Sequence, residues 1–226
     1  MNRLEGIKSM VDPCQTAADI GTDHGYVAEM LLKEGICKQI IATDLNEGPL
    51  NRAIEHLTKS NLHDKCNFRL GCGLRVLNEG EADAIIIAGM GGDLISDIIH
   101  TSKDIALKAQ QLILQPMTAV NTLRKYLYEN GFEIIDESIV KEYHHFYFII
   151  KAKKGIAKQM DNIYFEISNI LIEKKDPVMI DYLNKVLNTN EKIISSLEKT
   201  KNVEYNEKIE SLKDKNNKIK ELIRWI

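Results

Sequence analysis

The chain has 226 residues, 44% of them hydrophobic, and a formal net charge of -3 at pH 7. This length can bury one full-sized core and a second, smaller module, and the slightly negative charge excludes a protein that binds nucleic acids through a generally basic surface. No apolar run approaches the roughly 20 residues that cross a bilayer, and the four cysteines without a C-x-x-C pair exclude a zinc ribbon and a disulfide scaffold, so we expect a cytoplasmic protein with reduced thiols and no membrane span.

Short apolar runs alternate with segments of helical periodicity up to about residue 150. Apolar residues have helical spacing at residues 28–33, 51–57 and 94–99. Because strands that alternate with helices form βαβ units, the pattern predicts a parallel sheet with helices on both faces. The apolar runs that predict the strands are, in chain order, TAADIG, QIIATDL, CNFRLG, ADAIIIAGM and QQLILQPM.

The pattern changes after a predicted helix at residues 120–128 and its C-cap at Asn130-Gly131. Two long apolar segments follow, residues 132–140 and 144–150, and the few residues between them predict an antiparallel hairpin at the edge of the sheet. A dinucleotide-binding dehydrogenase would continue with another βα unit. The order of elements instead resembles the α/β, Rossmann-like, seven-stranded architecture of class I S-adenosylmethionine-dependent methyltransferases, which is a likeness of fold alone.

The chain after Gly155 is rich in lysine, glutamate, asparagine and aliphatic residues and shows no further strand pattern. We therefore predict two domains, a cofactor-binding domain at residues 1–155 and an all-helical domain at residues 156–226. Apolar residues recur in the second at heptad spacing, and a chain reversal near Val203 would bring the asparagines of two such lines together. This predicts an antiparallel helical coiled coil with a buried Asn pair that fixes its register; the alternative is that both helices pack separately on the main domain. The two lines are Met179, Leu183, Val186, Asn190, Ile193 and Leu197, and Tyr205, Ile209, Leu212, Asn216, Ile219, Ile223 and Ile226.

The stretch ADIGTDHGY, residues 18–26, joins the first predicted strand to the first helix, where ligands bind in open α/β sheets. Gly21 and Gly25 allow a tight turn, but their G-x-x-x-G spacing differs from the G-x-G-x-x-G of a pyrophosphate loop. Asp19 and Asp23 would repel a pyrophosphate and suit a cationic ligand, such as the ammonium and sulfonium groups of S-adenosylmethionine. The alternative is a plain tight turn in which the aspartates cap the helix.

Asp44 ends the second predicted strand, about 20 residues after Gly21, where nucleotide-binding folds of this kind place an acidic side chain on the ribose hydroxyls. A carboxylate accepts hydrogen bonds from both hydroxyls; the alternative is that Asp44 caps the next helix, a role that Asn46 can also fill. The fourth strand runs into the glycine-rich segment between Ala88 and Asp93, which indicates that the backbone passes very close to another group. The Asx-Pro-Pro-aromatic loop that amino-methyltransferases usually carry at this place does not occur in the sequence.

Several motifs occur together: DIGTDHGY at residues 19–26, Gly48-Pro49 after the second strand, AGMGG at residues 88–92, LILQP at residues 112–116 and the helical tail. Over essentially the whole chain, this combination resembles the bacterial tRNA (adenine-N1)-methyltransferase family that modifies adenosine 22, often called the TrmK family. The resemblance implies S-adenosylmethionine as methyl donor, folded tRNA as substrate and 1-methyladenosine as product. The sequence departs from common methyltransferases at residues 71–73, where Gly-Cys-Gly replaces an acid that holds the adenine amino group, so we expect backbone groups to hold adenine.

The resemblance implies a cofactor site on the loops after the strands, with the target base turned out of the RNA to reach it. We expect Asp23, His24 and Tyr26 at the mouth, and the glycines of residues 89–92 as a wall. Asp23 or His24 would accept a proton from the amino group of the methylated base, and Tyr26 would stack or hydrogen-bond. For His24 the alternative is a hydrogen bond at the helix start without a chemical role. The predicted cofactor-binding residues are Asp19, Gly21, His24, Gly25, Asp44, Leu45, Gly71, Cys72, Gly73, Ala88, Gly89, Met90 and Gly91.

No metal site is predicted, because no histidine pair has metal-ligand spacing supported by a carboxylate. We predict contact with tRNA through basic residues near the start of the chain and after the hairpin, and we expect a monomer without an obligate protein partner. Two other functions stay open: methylation of a small molecule at the same site, and a noncatalytic nucleotide-binding scaffold that recruits a partner through its helical tail. The basic residues are Arg3, Lys8, Lys151, Lys153, Lys154 and Lys158.

Overall fold

The computed structural model describes residues 1–156, 161–200 and 203–226 of the chain. Within these ranges the chain forms two compact units, Met1–Ile167 and Ser168–Ile226. No helix in the described part of the chain is long and apolar enough to cross a membrane.

The strands of the first unit are β1 (Cys14–Ile20), β2 (Cys37–Asp44), β3 (Cys66–Leu70), β4 (Ala84–Gly91), β5 (Gln111–Thr118), β6 (Phe132–Glu142) and β7 (His145–Lys154). They form one seven-stranded sheet in the order β3-β2-β1-β4-β5-β7-β6. Strands β1 to β5 are parallel, and β7 runs antiparallel to its neighbours β5 and β6. The predicted parallel sheet with a terminal hairpin is confirmed, and the second strand of the hairpin lies between the first and the rest of the sheet.

Helices connect the strands and cover both faces of the sheet. They are α1 (Arg3–Ser9), α2 (Tyr26–Lys33), α3 (Glu47–Lys59), α4 (Gly92–Thr101), α5 (Lys103–Lys108), α6 (Val120–Glu129) and α7 (Ile163–Glu166), with short 3-10 turns at His63–Lys65 and Gly73–Val76. Helix α1 was not predicted, and a capping box begins it. The backbone N–H of Glu5 donates to Oδ1 of Asn2 (2.9 Å), and the backbone N–H of Asn2 donates to the Glu5 carboxylate (2.7 Å). These reciprocal bonds fix the residue at which α1 begins.

Two apolar cores, one on each face of the sheet, hold the first unit together. Along the central strand β4, Ile85 and Ile87 belong to one core, whereas Ala84 and Ile86 belong to the other. Alternate side chains of a strand point to opposite faces, so a strand that is buried on both faces is apolar at successive positions. The middle of the sheet is therefore apolar, and the polar side chains that could bind a ligand lie at the carboxyl ends of the strands and in the loops that follow them.

A buried ion pair between α6 and β6 extends the first unit past the boundary predicted between residues 155 and 156. The side chains of Arg124 and Glu137 are both 2% exposed, and the guanidinium donates to the carboxylate at 2.8 and 3.0 Å. The same guanidinium donates to the backbone oxygens of Phe165 (3.1 Å) and Glu166 (3.3 Å). Because a buried charge must keep its hydrogen-bond partners, these contacts bind the segment that follows the hairpin to the first unit, and the unit ends at Ile167.

The second unit consists of helices α8 (Asn169–Glu173), α9 (Pro177–Thr200) and α10 (Asn206–Trp225), with a 3-10 turn at Val203–Tyr205 before α10. Ion pairs show that α9 and α10 run antiparallel, because the end of one helix meets the start of the other. These pairs are Glu198 with Lys213 (3.2 Å) and Glu191 with Lys220 (3.7 Å). The predicted helical hairpin is therefore confirmed, and α9 and α10 pack against each other.

A buried asparagine pair lies between the two long helices. Nδ2 of Asn190 donates to Oδ1 of Asn216 at 2.8 Å, as the heptad spacing predicted. The apolar seam differs from the prediction, because Ile193 is 38% exposed whereas Leu187, outside the predicted line, is buried. An ideal α-helix drifts by about 20° per heptad relative to a strict 3.5-residue repeat. The buried stripe of α9 therefore moves from one line of residues to the next along the helix.

Candidate functional site

Loops at the carboxyl ends of β1, β2 and β4 surround a cavity of about 640 Å³. Ligands bind at this edge of an open α/β sheet. Gly25 and Gly91, both predicted to bind a cofactor, lie outside the lining of the cavity. Among the described residues, no group of three or more His, Cys, Asp or Glu side chains is arranged to hold a metal ion. The predicted site residues that line the cavity are Asp19, Gly21, Asp23, His24, Tyr26, Asp44, Leu45, Gly71, Cys72, Gly73, Ala88, Gly89 and Met90.

Asp19 reaches the cavity from β1 and is almost completely buried. The hydroxyl of Thr22 donates to Oδ2 of Asp19 at 2.7 Å. Burial raises the pKa of Asp19 to about 6; the Thr22 hydroxyl opposes this increase, and the charge of Asp44 adds to it. The protein therefore holds a carboxyl group whose charged form is disfavoured in the free site, and a bound cation would stabilise that charge.

Asp19→Asn is expected to raise the free energy of unfolding near neutral pH by about 1 to 3 kcal/mol. The pKa of Asp19 in the folded protein lies above its ordinary value of 3.8, so the folded state binds more protons than the unfolded state between these two values. Stability of the wild type therefore falls as the pH rises from about 4 to about 6. Asparagine carries no charge and keeps an oxygen that accepts from Thr22, so the variant should lose this pH dependence. Urea unfolding at both ends of the pH window measures the effect.

Asp23→Asn is the matched control, because it removes an exposed carboxylate from the same loop. Its stability should stay within about 0.5 kcal/mol of the wild type at both pH values. An Asp19→Asn protein that is no more stable than the wild type near neutral pH would contradict the prediction.

The carboxylate of Asp44 organises the backbone of two loops. Its Oδ1 accepts from the backbone N–H of Asn46 (3.0 Å), and its Oδ2 accepts from that of Asp23 (3.4 Å). Asn46 occupies the N-cap position of α3. The capping role considered for Asp44 is therefore excluded, and its carboxylate lies between the loops that follow β1 and β2.

The loop after β1 turns into α2 at Gly25, which occupies the N-cap position with a φ of 70°. A Cβ at this position would lie 3.1 Å from Cδ1 of Leu57, so glycine lets α2 pack against α3. Asp23 pairs with Arg52, whose Nη2 is 2.6 Å from Oδ1. Within the described structure no side chain caps α2, so the alternative of a turn capped by Asp19 or Asp23 is excluded.

Three aromatic rings follow one another at the mouth of the cavity. The rings of His24 and Tyr26 stack with centroids 5.3 Å apart, and the ring of His56 meets Tyr26 edge-on at 5.0 Å. Nε2 of His56 lies 2.9 Å from the carboxylate of Glu29. Glu29 therefore holds His56, and His56 supports Tyr26. Burial disfavours the charge of Glu29, but three hydrogen-bond donors outweigh it and lower the pKa of Glu29 to about 2: Lys33, Ser60 and His56.

The glycines after β4 serve two different purposes. Gly89 has a φ of 77°, which other residues rarely adopt, and it lines the cavity. Gly92 lies against the protein's own backbone, because a Cβ there would be 2.2 Å from the carbonyl oxygen of Ala119. The close approach that the sequence indicated is therefore the contact of Gly92 with the turn between β5 and α6. A Cβ at the neighbouring Gly91 would lie 3.2 Å from the hydroxyl oxygen of Thr118.

The loop after β3 presents mainly backbone to the cavity. The N–H of Gly71 donates to the backbone oxygen of Asp44 at 2.8 Å, which joins this loop to the end of β2. Gly73 has a φ of 55°, and the side chain of Cys72 between the two glycines is exposed. The expectation that backbone groups of this loop hold an adenine ring stays a prediction.

The sequence reasoning missed Thr43 and Gln115 near the cavity, and it predicted Arg3 for contact with tRNA but not for a place at the cavity. Oγ1 of Thr43 is buried and has no hydrogen-bond partner among the described residues. Nη1 of Arg3 donates to Oε1 of Gln115 at 2.7 Å, so that α1 supplies a guanidinium to the cavity. Gln115 is fully buried, and a polar residue within the apolar run LILQP could have revealed it. No comparable signal marks Arg3, because its role depends on where α1 packs.

The basic residues predicted to contact tRNA lie in different environments. Lys151 is buried and pairs with Asp12 at 2.6 Å. The prediction is therefore wrong for Lys151, because its charge is already neutralised within the fold. Lys8 pairs with the carboxylate of Glu34 at 2.7 Å. Of the remaining lysines, Lys153 and Lys154 are exposed, and Lys158 lies outside the described residues.

Comparison with known proteins places these features in a family. A family model described as a methyltransferase domain matches residues 1–150. The tRNA (adenine(22)-N(1))-methyltransferase of Bacillus subtilis (strain 168) is 31% identical to this chain, over 98% of the chain and 95% of the relative.

Two solved structures agree with these matches along the whole chain. Sp1610 of Streptococcus pneumoniae, in complex with S-adenosyl-L-methionine, is 30% identical, with a TM-score of 0.86 over 98% of both chains. TrmK of M. capricolum, in complex with S-adenosyl-homocysteine, is 26% identical, with a TM-score of 0.83 over 100% of this chain and 98% of that chain. The chain therefore belongs to the methyltransferase-domain family and, within it, to the tRNA (adenine(22)-N1)-methyltransferase family that its motifs resemble.

Proposed function

We propose that this protein transfers a methyl group from S-adenosylmethionine to N1 of adenosine 22 in tRNA and so forms 1-methyladenosine. The observation that carries the proposal is the cavity that holds Asp19 and Asp44 at the carboxyl ends of neighbouring strands. It occurs in a chain that aligns along almost its whole length with a tRNA (adenine(22)-N(1))-methyltransferase.

The cavity fits S-adenosylmethionine in its size and in its polar groups. Its volume of about 640 Å³ is in the range of small-molecule sites. Asp44 would accept hydrogen bonds from the ribose hydroxyls, and the backbone of residues 71–73 would hold adenine. Oγ1 of Thr43, buried without a partner among the described residues, is the kind of polar group that a ligand satisfies. When bound, S-adenosylmethionine supplies a methyl group on a positively charged sulfur.

The protein must position the target base more than activate it, because N1 of adenine already has a lone pair in the plane of the ring. Since N1 is paired or stacked in folded RNA, the nucleotide must first be turned out, at a cost of a few kcal/mol. Tyr26 is 46% exposed at the mouth of the cavity and is supported by His56. Stacking of a base on such a ring contributes about 1 to 3 kcal/mol. This contribution offsets much of the cost of extrusion.

Methylation at N1 makes the adenine cationic and its amino group more acidic. Asp23 and His24 are the groups at the mouth that would receive the proton, and Oδ2 of Asp23 lies 3.7 Å from Nε2 of His24. Asp23 is also paired with Arg52 through its other oxygen. The ion pair holds the carboxylate at the mouth of the cavity, where it would stabilise the positive charge of the methylated base.

Two other functions would use the same cavity. A small-molecule methyltransferase would transfer the methyl group without RNA, and a noncatalytic scaffold would bind the cofactor without turnover. The B. subtilis relative named as a tRNA methyltransferase supports RNA as the substrate. We further infer that the protein acts as a monomer in the cytoplasm, where tRNA is found. Residues of the first unit would bind the cofactor, and the helical unit would contact the RNA.

Transfer of tritium from labelled S-adenosylmethionine to tRNA, followed by nucleoside digestion and chromatography, tests the function. A transcript with adenosine at position 22 should yield labelled 1-methyladenosine, and the same transcript with guanosine at that position should yield none. Tyr26→Ala is expected to slow transfer by about 10- to 100-fold, because the extruded base loses its stacking surface. Affinity for the cofactor, measured by calorimetry, should not change.

Tyr26→Phe is the matched control and should keep most of the activity, because it keeps the ring. Full activity of Tyr26→Ala would remove this residue from the site of the base. If wild-type protein binds the cofactor but labels neither transcript, the tRNA function is wrong and the scaffold becomes the better explanation. Label found on small molecules in the absence of RNA would favour the other alternative.

A further inference from the structure

The hairpin of β6 and β7 turns at the edge of the sheet that carries the cavity. Strand β7 runs antiparallel to β5, so the residues that precede Ile150 lie toward the carboxyl end of β5. Arg3, which lines the cavity, contacts this end of the hairpin. Its backbone N–H donates to the carboxylate of Glu142, and its Cζ lies 5.9 Å from the centroid of the Tyr147 ring. The turn of the hairpin, residues 143–144, is therefore on the same side of the first unit as the cavity.

A row of planar groups leads from the hairpin toward the cavity. The rings of His145 and Tyr147 stack with centroids 6.3 Å apart and planes inclined by 29°. Alternate residues of a strand share a face, so both rings lie on the face that Arg3 covers. Helix α1 packs directly on this strand, because a Cβ at Gly6 would be 2.6 Å from Cδ1 of Ile149. The row is therefore held in place, with Tyr147 partly buried and His145 exposed at its outer end.

The charges around this row suit an RNA strand. Residues 141–147 contain one acidic side chain, Glu142, and its carboxylate accepts a hydrogen bond from the backbone of α1. Lys141 is exposed, and its Nζ lies 5.5 Å from the centroid of the Phe146 ring. Exposed rings beside basic groups are the combination with which proteins bind single-stranded RNA.

The turn itself presents another exposed ring. Tyr143 is 92% exposed, and its φ of 53° lies in the left-handed region, which bulky residues rarely adopt. Glycine or asparagine usually occupies such a position in a short hairpin turn. The fold itself therefore gives no reason for a tyrosine at this position.

We propose that the rings of Tyr143 and His145 bind a base of the tRNA next to the extruded adenosine, with Tyr147 as the support behind His145. Extrusion of the target nucleotide removes a stacking partner from its neighbour, and an aromatic side chain can replace that partner whatever the neighbouring base is. The contact would hold the RNA strand while the target base enters the cavity. This inference rests on the proposed function, because it requires tRNA as the substrate.

Filter binding with three synthetic tRNAs tests the proposal: the complete RNA, and two forms that lack the base on one or the other side of adenosine 22. His145→Ala should bind the complete tRNA about 5- to 100-fold more weakly than the wild type does. With the tRNA that lacks the stacked base, the wild type and His145→Ala should bind equally well. Affinity for S-adenosylmethionine, measured by calorimetry, should not change.

His63→Ala is the matched control, because it removes an exposed histidine beside the ring of Phe68. His63 precedes β3 and so lies at the opposite edge of the sheet, and its variant should bind all three RNAs as the wild type does. Tyr143→Asn separates binding from folding. Asparagine suits the backbone of the turn, so the melting temperature should not fall, whereas affinity for the complete tRNA should fall about fivefold or more.

Wild-type affinity of His145→Ala for the complete tRNA would overturn the proposal. An equal loss with all three RNAs would also overturn it, because the effect would then not depend on a neighbouring base. If His145→Ala binds RNA normally but dissociates a self-associated wild-type protein in sedimentation, the surface binds a second copy of the chain instead. These outcomes leave the proposed function intact, whereas a wild-type protein that binds the cofactor but no tRNA would contradict both.

Discussion

Asp44→Ala is expected to lower the affinity for S-adenosylmethionine by about 100-fold or more, because two hydrogen bonds from the ribose hydroxyls to a charged acceptor would be lost, each contributing about 1.5 to 3 kcal/mol. The substitution also removes the acceptor for the backbone N–H groups of Asn46 and Asp23. The two loops that form this wall of the cavity then lose their common anchor. Calorimetry gives the affinity, and thermal unfolding without the cofactor shows that the variant is folded.

Two further variants serve as comparisons: Asp44→Asn separates the charge of Asp44 from its shape, and Asp64→Ala is a control at a distant carboxylate. Asp44→Asn keeps an oxygen for the N–H of Asn46 but carries no charge, so we expect a loss of about tenfold. Asp64→Ala removes a fully exposed carboxylate from the turn before β3 and should bind normally. Wild-type affinity in folded Asp44→Ala would show that the ribose does not contact this residue.

Gly92→Ala is expected to reduce the free energy of unfolding by about 3 kcal/mol or more, since overpacking of this severity exceeds the usual range. The added Cβ would lie 2.2 Å from the carbonyl oxygen of Ala119 and 2.9 Å from that of Thr118, and neither is a side chain that can rotate away. Ala119 itself has a φ of 51°, so the turn has little freedom to shift. In a domain of this size the loss corresponds to a fall in melting temperature of about 6 °C or more. Thermal and urea unfolding measure it.

Gly91→Ala is the matched control for the neighbouring glycine. Its φ of -66° suits any residue, and the nearest atom to its Cβ would be the Thr118 hydroxyl at 3.2 Å, which can rotate. We expect its stability to fall by no more than about 1 kcal/mol. Equal stability of the two alanine variants would mean that the turn between β5 and α6 adapts to the added Cβ. The close contact at Gly92 would then not be the reason for a glycine at this position.

The glycine-rich segment shows the limit of what a sequence can predict about a site. The sequence correctly indicated a close approach of the backbone at residues 89–92, because glycine is the residue that permits it. It did not show which group lies against each glycine. At Gly92 the partner is the protein's own turn, and at Gly89 the chain borders the cavity. The identity of the partner depends on where distant segments pack, which no local pattern contains.

The site could be predicted where its residues end consecutive strands. Gly21 and Asp44 follow runs with a clear strand pattern, and the topology of parallel strands brings such ends together. Arg3 and Gln115, in contrast, are 112 residues apart in the chain and meet only after α1 packs on the hairpin. No sequence pattern assigned a role to His56, and its role became visible only beside Tyr26 and Glu29.

In the helical unit, too, the sequence pattern predicted one contact but not the exact buried surface. Asn190 and Asn216 interrupt two apolar lines at matching levels, so their pairing followed from spacing alone. The exposure of Ile193 did not follow, because a strict heptad line describes a supercoiled helix, and a helix with its natural period carries the buried stripe onto other residues.

The place of β7 between β5 and β6 has a consequence for synthesis of the protein. The backbone edge of β5 at Leu112–Leu114 is paired by residues 150–152, which leave the ribosome long after β5 itself. Until they arrive, the growing chain presents an apolar strand edge that can template pairing with another chain. Chains that are interrupted before the hairpin is made would therefore aggregate more readily than the finished protein, and they would depend on chaperones during the interval.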